Sequence, residues 1–245
     1  MQFSYHFPDP ALNEFVNYFW CLENESDEQT VTVLPDGYFD IMWIHAGNAL
    51  PKTLLIGLAT KARDYVVPTH SKAFAISFKL PAAESVLNRS IKTLLDKQSE
   101  LIHGLWEVKP NTITSPEHFF SVAAESLVRL RPSFSDAKKR VLFDIIYSQK
   151  GNIKVAELAK LTRWDSRRIN RYFRENFGLT LKSYCNILRF RSAFEHLVNG
   201  TGTPPEYFDQ PHFIRDVRNY SGTSPKFLVA NQNERFIQLS TLPAT

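Results

Sequence analysis

One pattern occurs twice in this sequence, 44 residues apart, and it limits the fold more than any other feature. Asp165, Ile169, Arg171, Phe173, Arg174, Gly178, Thr180 and Lys182 are matched in order by Asp209, Phe213, Arg215, Val217, Arg218, Gly222, Ser224 and Lys226. Each position has a physical reason. An aspartate accepts from the free N–H groups that open a helix. Two apolar residues at four-residue spacing face a core, and the arginines point elsewhere. A glycine takes the left-handed position that ends the helix, and Thr or Ser then caps the next one. The chain therefore carries two copies of a capped, arginine-bearing helix.

The first copy is preceded by "NIKVAELAKLTRW", a short amphipathic helix with Val155, Leu158, Ala159 and Thr162 at core spacing. A positioning helix, a tight turn and a polar second helix form a helix-turn-helix pattern. The second helix opens Ser166-Arg167-Arg168-Ile169-Asn170-Arg171. Arginine offers a bidentate fork to guanine and asparagine to adenine in the major groove, while further cations neutralise phosphates. A basic run alone usually marks a solvated helix face. Here the caps, the preceding helix and the second copy favour duplex DNA. Thr180 caps a longer helix running through "LKSYCNILRFRSAFEHLV", with Tyr184, Ile187, Leu188, Arg191 and Phe194 in rows, and Asn199-Gly200 ends it.

Charge is divided along the chain. Residues 1–137 hold 11 basic and 16 acidic side chains, whereas residues 138–230 hold 17 and 8. An acidic half joined to a basic half suits a nucleic-acid-binding module on a carrier. With 245 residues there is room for two domains of ordinary size, and 9 glycines leave no glycine-rich phosphate loop or long flexible linker. The N-terminus has no basic, apolar leader, and no apolar run approaches the ~18 residues of a membrane span. Cys21 and Cys185 form no C-x-x-C pair, which fits a reducing cytoplasm.

Before residue 80 the signals are mostly those of short strands. "TVTVL" leads to a Pro35-Asp36-Gly37 hairpin turn, and "YFDIMWI" then alternates Phe39, Ile41 and Trp43 with Tyr38, Asp40 and Met42. "TLLIGLAT", "DYVVP" and "AFAISFKL" read as further strands. A short helix from Pro10, capped by Asp9, is expected to carry Leu12, Phe15, Val16 and Phe19. Helices are also expected over residues 81–97, from Ser115-Pro116, and over "AKKRVLFDIIYSQKGN", which Gly151 ends. Pro132 with Ser133 and Ser135 interrupts two helical patterns and sets a boundary. The expected fold class is α+β, with a β-rich barrel- or sandwich-like domain with flanking helices over 1–131, an all-α domain over 132–232 and a tail over 233–245.

These residues resemble the AraC/XylS family of bacterial transcription regulators, whose C-terminal domain holds two helix-turn-helix units joined by a long helix. The resemblance covers about residues 150–230, in order and with both Gly-x-[TS] stops. It implies base reading by Arg167, Asn170 and Arg171 of the first unit, and by Gln210, His212 and Arg215 of the second. Ser166 and Arg168 share the first reading segment; Lys154, Arg174, Lys182 and Arg189 are phosphate or structural cations. One departure is plain. Family members place a positioning helix before the second recognition helix, but Leu197–Phe208 reads "LVNGTGTPPEYF", whose glycines and prolines do not suit a helix. The second unit is thus expected to be truncated. "VLPDGYFDIMW" also looks like the β-rich sensor domain of a subset of the family, which binds a small effector, dimerises, or does both. The implied partners are double-stranded DNA, a small-molecule effector and a second copy of the chain, with no membrane.

Other chemistry finds little support. His6, His45, His70, His103 and His118 show no ligand spacing, so no metal or cofactor is expected. No G-x-S-x-G elbow is present, and the chain is not expected to be an enzyme. Tyr38, Asp40 and Trp43 are candidates for an effector pocket, which is typically apolar with few polar groups. Ordinary core aromatics are the plainer reading of such residues. Asp36 is expected to make the turn, and Asp40 to face solvent or a pocket lip. The competing function is a ligand-binding or enzymatic barrel whose degenerate helical domain no longer binds DNA.

Overall fold

A computed structural model describes the chain except residues 48, 102–107, 109–112, 114, 200–201, 232–235 and 237–245. The N-terminal half is built on β1 (Gln2–His6), β2 (Val16–Asn24), β3 (Gln29–Val33), β4 (Phe39–Ala46), β5 (Lys52–Ile56), β6 (Arg63–Val67), β7 (Ser71–Phe78) and β8 (Gln98–Glu100). Six of these form an antiparallel sheet in the order β1-β2-β7-β4-β5-β8, and β3 and β6 form a separate antiparallel pair. The helices are α1 (Ala82–Ser85), α2 (Pro116–Leu130), α3 (Ala137–Ser148), α4 (Val155–Thr162), α5 (Ser166–Phe177), α6 (Leu181–Ser192), α7 (Phe194–Asn199), α8 (Gln210–Ser221) and α9 (Pro225–Ala230). This is an α+β chain with its strands first and its helices last.

Alternation along β4 gives the large sheet two different faces. Phe39, Ile41 and Trp43 are fully buried on one side. There they meet α2, which Ser115 caps by accepting from His118 N–H at 3.2 Å. Phe119 of α2 lies against Trp43 and Phe74, with ring centroids 5.6 and 5.3 Å away. Burying a ring of this size is worth roughly 1.5–3 kcal/mol. Tyr38, Asp40, Met42 and Ile44 face the other way, toward a cavity that the β3–β6 pair helps to wall.

Three expectations are corrected. The opening helix is a single 3-10 turn at Pro10–Leu12, where Asp9 makes no side-chain cap. Val16 and Phe19 belong to β2, whose pairing with both β1 and β7 outweighs the helical spacing. Pro35-Asp36-Gly37 is not a hairpin turn, because β3 pairs with β6 rather than β4; it carries the chain from one sheet to the other. The long helix over 81–97 shrinks to α1 and a 3-10 turn at Lys92–Leu94. Its donors are drawn elsewhere: Ile91 N–H bonds Asn176 O at 2.9 Å and Asp96 N–H bonds Leu58 O at 2.8 Å, with Asn88 and Asp96 in the left-handed region.

Between Leu130 and Ala137 the chain is not helical, and Arg131 ends α2 in the left-handed conformation. The two halves nonetheless share one apolar core, from Leu12 and Phe15 to Phe143, Phe173, Phe177 and Tyr184. Of the tail, Phe236 is described; it is buried and bridges to Thr32 of β3.

Candidate functional site

Helix α5 is prepared at both ends. Asp165 accepts from the N–H groups of Arg167 and Arg168 at 2.7 and 3.2 Å. Gly178 closes the helix at φ 81°, a conformation that only glycine adopts without cost. Ile169, Tyr172, Phe173 and Phe177 are buried on one side. Arg167, Arg171 and Arg174 follow one another at spacings of four and three, so they form an exposed stripe opposite that core. None of their guanidinium groups has an ion-pair partner among the described residues. Exposed Lys182 lies in the first turn of α6, after Thr180 has capped it by accepting from Ser183 N–H at 3.1 Å.

Two neighbours of the stripe are engaged within the chain. Arg168 stacks on Trp164, its guanidinium carbon 4.6 Å from the ring centroid. Asn170 donates to Ser166 O of its own helix at 3.0 Å, leaving its amide turned toward the backbone and Ser166 half-buried. The face that projects freely is therefore narrower than the string Ser166–Arg171 suggests.

The second copy keeps its caps and changes its support. Asp209 accepts from His212 N–H at 2.8 Å, and Gly222 ends α8 at φ 73°. Gln210 and Arg215 are exposed, whereas half-buried His212 sits 3.7 Å from Asp216 and edge-on to Tyr207. No helix forms among the described residues between Asn199 and Gln210. α8 is held instead by Arg189 of α6, which donates to Asp216 at 3.0 Å with both side chains mostly buried. Ala62 N–H of the β-rich half also bonds Tyr220 O at 2.7 Å. Arg189 is thus a structural cation, not a free one.

On the far side of the sheet lies a cavity of about 320 Å³. Much of its wall is apolar, with Trp20, Leu22, Met42, Ile44, Leu54 and Ile56 among its lining residues. Tyr18, Asp36, Tyr38 and Asp40 form a polar end. Asp36 makes the turn, as expected, by accepting from Tyr38 N–H at 3.0 Å. Burial raises its carboxyl above the usual range, and the charge of Arg191 on α6 pulls it back down. Arg191 lies 5.6 Å from the centre of the Tyr38 ring. Burial, aided by the negative charge of Asp36, pushes Asp40 up to about 8. Trp20 and Ser77 stand close enough to favour its charged form, yet Oδ1 is buried with no hydrogen-bond partner. Tyr38 and Asp40 therefore line the cavity, and Trp43 does not: it points into the core on the opposite face. Arg191 went unassigned in the sequence, although its place in the apolar row of α6 was the available signal. A charge at core spacing calls for a buried partner.

Side chains of α1 and of the loop after it also join the β-rich half to α3 and α5. Glu84 of α1 accepts from Lys139 Nζ at 2.8 Å and from Tyr172 O–H at 2.7 Å. Ser90 Oγ donates to the carbonyls of Glu175 and Asn176 at 2.8 and 3.0 Å. The buried side of α5 thus rests on the β-rich half, while its arginine stripe faces outward.

Among the described residues no cluster of His, Cys, Asp or Glu is built to hold a metal ion, and His103 lies outside them. No helix among them is long and apolar enough to cross a membrane. Residues 4–100 match a family described as a domain of unknown function, DUF6597. No curated protein matches the sequence. Solved structures similar to this chain include an apo variant of ToxT from Vibrio cholerae, at 12% identity and TM-score 0.48, covering 92% of this chain and 99% of that one. ToxT in its unsaturated-fatty-acid-bound form is similar at 11% identity and TM-score 0.42, covering 93% and 94%.

Proposed function

We propose that the chain is a cytoplasmic, effector-responsive transcription regulator of the AraC/XylS type, whose α5 enters the major groove of duplex DNA. The observation that carries this reading is the exposed, unpaired stripe Arg167–Arg171–Arg174 on a helix capped at both ends. Arg167 and Arg171 read base edges, with Asn170 joining them once its amide leaves Ser166 O. Arg174 and Lys182 face phosphates. Of the three candidates on α8, Gln210 and Arg215 are exposed and open to a second contact, and His212 is committed to Asp216 and Tyr207. The cavity beside Tyr38 and Asp40 holds the effector. A homodimer on a two-part operator follows from the same reading.

Selection of bound sites from random duplexes tests the proposal. A recurrent motif, with affinity that falls as salt rises, is expected. One observation favours the competing reading: among the described residues between Asn199 and Gln210 no positioning helix precedes α8. Absent binding, or binding indifferent to salt, would leave the chain a ligand-binding barrel protein with a degenerate helical domain.

A further inference from the structure

The charges around the cavity are unequally matched. Arg63 is paired with Asp96 at 3.5 Å and Lys72 with Glu23 at 3.1 Å, while Lys97 is exposed at the rim. At the polar end, Asp36 has the Tyr38 N–H and the nearby charge of Arg191. Asp40 has no cation of its own. Its Oδ1 is buried and unpartnered, and the aromatic rings of Tyr18, Trp20 and Tyr38 line the same space. One cation, Arg191, stands beside two carboxyls, so an ionised Asp40 lacks a counter-charge, and ring faces also attract cations. An acid head would meet Asp36 and Asp40 there.

We propose that the cavity binds an organic amine, its protonated nitrogen donating to Asp40 and its carbon body lying against Trp20, Met42, Ile44 and Leu54. The inference rests on reading the β-rich half as the effector domain and adds the chemical class of the effector. A cation beside Asp40 favours its carboxylate, returns its proton to solvent and offsets the hydration that burial removes.

The test is calorimetric titration of the full chain with n-octylamine, n-octanol and octanoate, three probes that differ in the head group. Octylamine is expected to bind at least tenfold more tightly than octanol, and octanoate more weakly than octanol. Asp40→Asn should bring the amine to the level of octanol without weakening octanol. Met42→Trp, which fills the space, should abolish all three. Octanoate binding as tightly as octylamine, an amine preference that survives Asp40→Asn, or no binding by any probe would overturn the proposal. Duplex affinity measured beside each titration separates the two readings. An amine that binds through Asp40 and leaves duplex affinity unchanged supports the amine site and sinks the effector role. Octanoate that binds best and alters duplex affinity does the reverse.

Discussion

The hydroxyl of Tyr184, on α6, donates to the carbonyl of Gly37, in the turn before β4, across 3.0 Å. Because that carbonyl can only accept, Tyr147 must be the donor in its 2.9 Å bond to Tyr184, and Tyr147 in turn accepts from Leu80 N–H at 2.9 Å. Two helices and two loops of the β-rich half are joined by one directed run of three buried bonds. Tyr184→Phe removes the middle of it, taking the hydroxyl donor from Gly37 O and the acceptor from the Tyr147 proton, while Tyr147 still accepts from Leu80 N–H. The expected loss is about 1–3 kcal/mol, read from denaturant unfolding. Tyr147→Phe combined with Tyr184→Phe should cost less than the two single changes added together, since both sit in one network.

A side chain at Gly37 would be strained and would have to shift Leu188. Its φ is 85°, and a Cβ there would stand 2.7 Å from Leu188 Cδ2 of α6. Gly37→Ala should destabilise by about 1–3 kcal/mol from the backbone conformation alone. Gly47, also at positive φ but with open space around it, should suffer the conformational part only. Comparing the two unfolding curves separates strain from collision.

On the outer face, Arg171→Ala should weaken binding to the selected site by about 1–3 kcal/mol and relax preference at one base position, whereas Lys182→Ala should mainly reduce the salt slope. Gel-shift series at several salt concentrations distinguish them. Unchanged site preference in Arg171→Ala would remove this stripe from the reading face. Asp165→Ala should cost about 1 kcal/mol of stability by uncapping α5, with the arginines still in place.

Asp40 gives a pH signature. Its carboxyl is raised from an ordinary 3.8 to about 8, so between those values the folded state binds more protons than the unfolded one. Stability contributed by this group should therefore fall as pH climbs from about 4 to about 8 and level off above. Asp40→Asn should flatten that segment of the curve and be the more stable protein at pH 9. Unfolding free energies at intervals across this range check the sign.

The helical half was legible because its signals are local. Asp165, Gly178, Thr180, Asp209, Gly222 and Ser224 act on backbone groups within a few residues, and each does in the structure what its type predicts. Among the described residues between Asn199 and Gln210 no helix forms, in keeping with the local sterics of the glycine and prolines there. What went unread depends on distant partners. Val16 and Phe19 carry helical spacing but are claimed by β1 and β7. The backbone of Ile91 is claimed by Asn176, 85 residues later. Tyr38 and Asp40 were placed on the cavity by strand alternation, and the same alternation sets Trp43 on the other face. The core spacing of Arg191 signals a buried charge but not what it faces, because Tyr38 and Asp36 lie some 150 positions earlier in the chain.

Tyr38 belongs to both halves of the molecule. It lines the cavity, stacks on Tyr147 with ring centroids 6.3 Å apart, and lies beneath Arg191 of α6. An effector that displaces this ring and a duplex that displaces the helices would act on the same few atoms. Thermodynamic linkage then leaves no freedom in sign or size: whatever factor the effector imposes on DNA affinity, DNA imposes on the effector. Duplex affinity measured with and without a cavity ligand must therefore change by the same factor as the affinity of that ligand measured with and without duplex.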